Sequence, residues 1–315
     1  MDVTLTPEHV TFNSLGIRCA ADLYLPAADG PVPGLVLGHS GVMVKEALAV
    51  FAPYFVQAGF AVLAIDYRTV GSSEGEPRGQ DYPERQVEDF RSAISYLQGR
   101  SEIDAERIGL WGVSVGGSVA VQAAVLDRRA KCVVVQSPSA WNGWRYLERL
   151  SSRAGVRTLR DQLDEDWQRQ YEGGASARIP HLELDYDSVR GTPDLAAEMF
   201  PTYRNEKTLD SHEHLLTFAP ENLIHLLAPT PLLMIANGGW DPYHMLEEGQ
   251  SAFAKAGEPK RLVVLPYDVL GLYMGPGLEE SMALAIDWFD LYLRKTRLAT
   301  ITAPPTRESV AAMIE

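Results

Sequence analysis

The stretch Arg107 to Val119 (RIGLWGVSVGGSV) constrains this chain more than any other. Ile108, Leu110 and Trp111 read as the end of a buried strand, and a helix rich in small residues begins near Val115. Between them Gly112-Val113-Ser114-Val115-Gly116 satisfies G-x-S-x-G, the turn in which a serine is carried on a strained passage from strand to helix. The two glycines have a mechanical reason, because backbones pass so closely there that a Cβ at either position would clash. Any functional reading of the chain therefore turns on Ser114.

The flanking segments alternate in type. Residues 8–13 and 17–25 read as antiparallel strands joined through Leu15-Gly16, and the apolar run 34–38 reads as a strand buried on both faces. It ends in His39-Ser40-Gly41. A helix through Leu48, Phe51 and Phe55, a strand at 60–65 ending in Asp66 and a helix from Pro83 precede the serine turn; a strand at 131–135 follows its helix. Strand and helix in alternation imply a parallel sheet covered on both faces, with ligands at the carboxyl ends of the strands. From 139 to 228 no strand is evident and helices are expected, lying over that edge. The alternation resumes with strands at 231–236 and 261–265, a helix between them and a last amphipathic helix through Leu293. The expected division is a core of 1–138 and 229–296, a helical cap of 139–228 and a tail of 297–315.

Composition excludes several classes. Hydrophobic residues at 46% and charged residues at 22% are ordinary globular values. A formal charge of −14 argues against nucleic acid and anionic membrane as partners. Cys19 and Cys132 are the only cysteines and are expected to be free thiols. No apolar run approaches the roughly 18 residues of a membrane span, and the start lacks a signal-peptide pattern. A soluble, cytoplasmic protein acting on a small apolar molecule is expected, with room for a homo-oligomer.

GHSGVMVKE, AGFAVLAIDYRTVGSSEGEPRG, IDAERIGLWGVSVGGSVA and VVVQSP together resemble the α/β-hydrolase superfamily, in its dienelactone-hydrolase-like and Xaa-Pro-peptidase-like branch. The resemblance implies an α/β-hydrolase fold and, for some members, polyketide-type substrates. It also implies Ser114 as nucleophile, with the N–H of Val115 and one near Gly41 as oxyanion donors. No metal and no cofactor is implied. An acid is implied after the strand at 231–236, where spacing brings Trp240 nearest and Asp241 one step late. A histidine is implied after the strand at 261–265, but Val269 stands there and no histidine follows His244.

A serine without a base is a poor nucleophile. The leading expectation is thus an incomplete triad and a non-hydrolytic step, such as a cyclisation or rearrangement of a polyketide-like or acyl substrate, with Ser114 lining the pocket. One alternative is an ester or lactone hydrolase with a displaced base, His244 or Asp268; another is a non-catalytic binding protein. Asp241 ahead of Pro242 reads more readily as a helix N-cap, with His244 in the first turn. Tyr267 and Tyr273 are candidates for hydrogen bonds to a substrate carbonyl. His39 reads as structural, Ser40 as facing the ligand, and Trp141, Trp144 and Trp240 as pocket walls. His212-x-His214 falls in an expected helix, a poor setting for a metal.

Overall fold

The computed structural model describes residues 6–181 and 192–294. Alternation at the start of the chain produces a hairpin of β1 (Glu8–Ser14) and β2 (Ile17–Tyr24). Leu15 and Gly16 between them both take positive φ, 49° and 97°, the left-handed geometry that suits a two-residue hairpin turn. β2 pairs antiparallel with β4 (Ala61–Ile65), and β4 pairs parallel with β3 (Val32–Gly38). The sheet continues, all parallel, through β5 (Ile103–Val113), β6 (Ala130–Gln136), β9 (Leu232–Asn237) and β10 (Lys260–Leu265). The order across its eight strands is β1-β2-β4-β3-β5-β6-β9-β10.

Period-two alternation divides the strand side chains between two cores. Val36, Leu63, Leu110, Val133 and Met234 meet α2 (Pro83–Gln98), α3 (Val115–Leu126) and α7 (Leu246–Lys255) on one face. Leu35, Val62, Trp111, Val134 and Ile235 meet α1 (Ala52–Gln57) and α9 (Gly277–Phe289) on the other. With both faces covered, the central strands read as unbroken apolar runs; every residue of β4 and β9 is buried.

The chain runs outward from β3 to β4 and then returns to β5 on the other side of β3. That reversal opens a crevice at the carboxyl ends of β3 and β5, where α/β sheets bind ligands. His39 and Ser114 follow those two ends directly.

The segment after β6 holds α4 (Gly143–Tyr171), β7 (Arg178–Ile179), α5 (Thr192–Met199), β8 (Lys207–Thr208) and α6 (Ser211–Thr217). The Asn142 side chain caps α4 by accepting the Arg145 N–H at 3.1 Å. β7 and β8, which the sequence reading did not expect, form a two-residue antiparallel ladder. A second unforeseen element is α8 (Val269–Tyr273), in a stretch read as loop. The stretch 297–315, expected to be a tail, lies outside the described residues. Cys19 and Cys132 are both free and buried. Among the described residues no helix is long and apolar enough to cross a membrane.

Candidate active site

Ser114 sits between β5 and α3 with φ 56° and ψ −127°, a conformation unfavourable to a residue with a Cβ by about 1–3 kcal/mol. The turn is locked by its surroundings. A Cβ on Gly112 would lie 2.3 Å from the Gly116 carbonyl oxygen, and one on Gly116 would lie 2.3 Å from the His39 carbonyl oxygen. Both are impossible contacts, so the two glycines let β5, α3 and the loop after β3 close on one another. The Ser114 N–H donates to the Gln136 carbonyl at 2.9 Å, which ties the turn to β6. Val115, the first residue of α3, has a main-chain N–H with no acceptor inside its helix. Gly41 takes φ 51°, a left-handed turn in the loop after β3.

The expectation that Ser114 lacks a base fails on geometry. His244 Nε2 lies 2.7 Å from Ser114 Oγ, and His244 Nδ1 lies 2.8 Å from Asp241 Oδ1. All three residues are buried. Acid and base therefore share the loop after β9. Asp241 is no helix N-cap, since α7 begins only at Leu246. Its Oδ1 instead accepts the N–H groups of Tyr243 at 2.8 Å and His244 at 3.0 Å as well as the imidazole. This folds four residues into a tight turn that brings the ring back to its own acid. Burial pushes the Asp241 carboxyl up, but hydrogen bonds from the His244 ring and the two N–H groups outweigh it, leaving it below its ordinary range.

Asp268 is engaged elsewhere than at Ser114. It is exposed and caps α8, its Oδ1 accepting the Gly271 N–H at 2.7 Å. Val269, where the histidine was expected, is the buried first residue of α8. The turn before α8 lies against the β9 loop instead of reaching the serine: the Gly239 N–H donates to the Tyr267 carbonyl at 3.0 Å. Tyr267 directs its hydroxyl to Glu280 on α9, 3.3 Å away, and Tyr273 packs edge-on against Phe51. Tyr267 is thus engaged with α9, whereas the buried Tyr273 hydroxyl lies on the side of Ser137, which follows β6.

The remaining candidates separate. Ser40 donates its hydroxyl to Ser114 Oγ at 3.2 Å, so it belongs to the site. His39 is structural: burial pushes its imidazole down to about 3, its ring packs on Tyr67 at 4.4 Å, and its carbonyl accepts the Tyr67 hydroxyl. Trp141 is fully buried in the core, whereas Trp144 and Trp240 are exposed, so the three do not form one wall. His214 stacks on Tyr82 and pairs with Glu84, away from any shared site with His212. Asp66 ties loops together through Lys45 N–H and Ser72 N–H.

Three residues that hold the site escaped the sequence reading. Ser139 donates to the Tyr243 carbonyl, Asn237 donates to the His244 carbonyl at 3.3 Å, and Arg149 donates to the Pro242 carbonyl at 2.9 Å. No local pattern marks them: Ser139 and Arg149 act across a long sequence separation, and Asn237 is the last residue of a strand that reads simply as buried.

With this geometry in place, comparison with known proteins adds a context. The family pattern of the X-Pro dipeptidyl-peptidases (S15 family) matches residues 16–268. A thiohydrolase, aneE, from Aspergillus aculeatus is 29% identical over 78% of this chain and 80% of its own length. A polyketide transferase from Gibberella fujikuroi is 28% identical over 82% of this chain and 89% of its own. The crystal structure of the alpha/beta hydrolase GrgF from Penicillium sp. sh18 superimposes with a TM-score of 0.78 at 22% identity, covering 92% of this chain and 99% of that one. The fold is that of the α/β hydrolases.

Proposed function

We propose that this chain, which belongs to the X-Pro dipeptidyl-peptidase (S15) family, is an acyl-transfer enzyme that forms an acyl-enzyme on Ser114. The observation that carries the reading is His244 bridging Asp241 and Ser114 at 2.8 and 2.7 Å. Ser114 Oγ attacks the carbonyl of an acyl ester or thioester while His244 Nε2 takes its proton, and Asp241 steadies the imidazolium. On this reading the N–H groups of Val115 and of the loop at Gly41 supply the fixed donors that stabilise the developing oxyanion. His244 then returns the proton to the departing alcohol or thiol. In the second half an acceptor hydroxyl attacks the acyl-serine, giving its proton to His244, which passes it to Ser114 Oγ as the acyl–oxygen bond to the serine breaks.

The names of the relatives support an acyl thioester of polyketide type as donor, in secondary metabolism. Thiohydrolase and transferase chemistry share the acyl-serine and differ only in the acceptor. The acceptor in this reading is carried by the organic substrate, as the name of the transferase relative suggests. A hydroxyl of the same acyl chain, closing a ring, would have an effective concentration on the order of 10⁵ M or more when well oriented. The non-hydrolytic outcome expected from the sequence is kept in this form, with a covalent step through Ser114 in place of a passive one.

A fluorophosphonate probe tests the reading, since only an activated serine reacts. Labelling confined to Ser114 and abolished in Ser114→Ala is expected; an unlabelled wild-type protein would overturn it. Turnover of an acyl thioester bearing a distal hydroxyl in ¹⁸O-water then separates the acceptors, lactone without ¹⁸O meaning transfer and labelled acid meaning hydrolysis.

A further inference from the structure

In the turn 242–244 the main-chain donors are already used or missing. Pro242 lacks an N–H, and those of Tyr243 and His244 are committed to Asp241 Oδ1. Buried carbonyls need partners from elsewhere. Three in succession, those of Pro242, Tyr243 and His244, are each taken by a side chain: Arg149, Ser139 and Asn237. Asn237 belongs to the strand beneath the loop. Ser139 and Arg149 come from the segment after β6, and Arg149 lies on the second turn of α4.

Arg149 differs from the other two in being a charged fork with two fixed ends. Its Nε donates to Pro242 at 2.9 Å, while an Nη pairs with the Glu248 carboxylate on α7, the helix that leads out of the loop. The guanidinium also lies over the Tyr146 ring, 5.4 Å from its centre. One side chain therefore grips the base loop just before His244 and again just after it. Farther forward on α4 the same attachment is repeated, Asn142 and Arg145 both holding Glu221, which also takes Lys255 of α7.

We propose that Arg149 is a positioning residue for the base: by holding the Pro242 carbonyl and Glu248 together it sets the reach of His244 to Ser114, so that α4 and the triad move as one unit. This rests on the reading of Ser114 as a nucleophile activated by His244. An arginine suits the task because its planar fork holds two acceptors in fixed directions, which a lysine ammonium does not. A displacement of about 1 Å in such an arrangement costs on the order of a hundredfold in rate.

Rate constants for fluorophosphonate labelling of Ser114, with thermal melting to confirm folding, test the inference. Arg149→Met is expected to label about ten- to a hundredfold more slowly, with partial recovery on adding guanidinium ion at a non-denaturing concentration. Arg149→Lys should fall between. Trp167→Ala, at the exposed far end of α4, should label at the wild-type rate. A folded Arg149→Met variant that melts earlier but labels as fast as wild type would overturn the proposal and leave the arginine a purely structural role. If Arg149→Met does not fold, Glu248→Gln decides by the same measurement: labelling roughly threefold slower or more supports positioning, and the wild-type rate overturns it. A wild-type protein that does not label overturns the reading of Ser114 and this inference with it. A wild type that labels beside an equally reactive Arg149→Met overturns this inference alone.

Discussion

Ser114 and His244 meet at 2.7 Å, yet the two loops that bring them there are built differently. Around Ser114 the constraint is local: two glycines, a strand end and a helix start force one turn, and a Cβ at Gly112 or Gly116 would collide with backbone. Around His244 much of the constraint is distant. Its loop owes its shape to Asp241 within, and to Ser139, Arg149 and Asn237 from outside. A locally built turn resists change until it breaks, whereas a loop suspended from remote side chains is tuned by each of them.

The sharpest way to break this comparison is at the base itself. His244→Ala should lower acyl transfer by about 10⁶-fold, and Ser114→Ala by a similar amount. Because the groups act as one unit, the double variant should be no worse than either single one. Steady-state kinetics on an acyl thioester checks both points, and additive losses would mean that the two residues act separately.

Asp241→Asn probes the acid by removing the charge and upsetting the imidazole tautomer. A loss of about 10⁴-fold in kcat is the upper range for such a change. The same variant has a signature in stability. Since the Asp241 carboxyl is held below its ordinary range, its contribution is present above the unfolded value of about 4 and is lost as pH falls through the lower folded value. Wild type should therefore lose more stability than Asp241→Asn as pH falls below about 4, as read by denaturant melts at descending pH.

On the nucleophile side, Gly116→Ala should cost about 3 kcal/mol by overpacking against the His39 carbonyl, with activity lost alongside folding. Chemical denaturation measures it; a variant of unchanged stability would mean that the turn is less locked than its contacts imply. The smallest effect belongs to Asp268→Ala. Loss of an N-cap should destabilise by about 1 kcal/mol and leave acyl-enzyme formation unaltered, since Asp268 faces solvent at α8. Slower acylation there would restore Asp268 as a candidate base.

The same contrast explains what the sequence reveals. The strands, the serine turn and its neighbours Ser40 and Gly41 are legible because sterics and period-two burial act over a few residues. The base is not, because Asp241-Pro242-Tyr243-His244 offers a helix-cap pattern that competes with the triad reading, and only the fold places that loop beside Ser114. Val269 misleads for a related reason: the stretch after β10 turns into α8 and packs against Gly239, leaving the histidine's usual approach closed. Trp240 is near the expected acid in spacing but is exposed, one residue from the aspartate that does the bonding. Arg149 carries no signal at all, being one charge among many on a long helix.

The most direct measurement is the intact mass of the protein after brief mixing with a short-chain acyl thioester of N-acetylcysteamine. A mass increase equal to the acyl group, mapped to Ser114 and absent from both Ser114→Ala and His244→Ala, is the expected result. An unmodified wild-type protein that nonetheless consumes the thioester, or an acyl group lodged on another residue, would contradict catalysis by Ser114, His244 and Asp241.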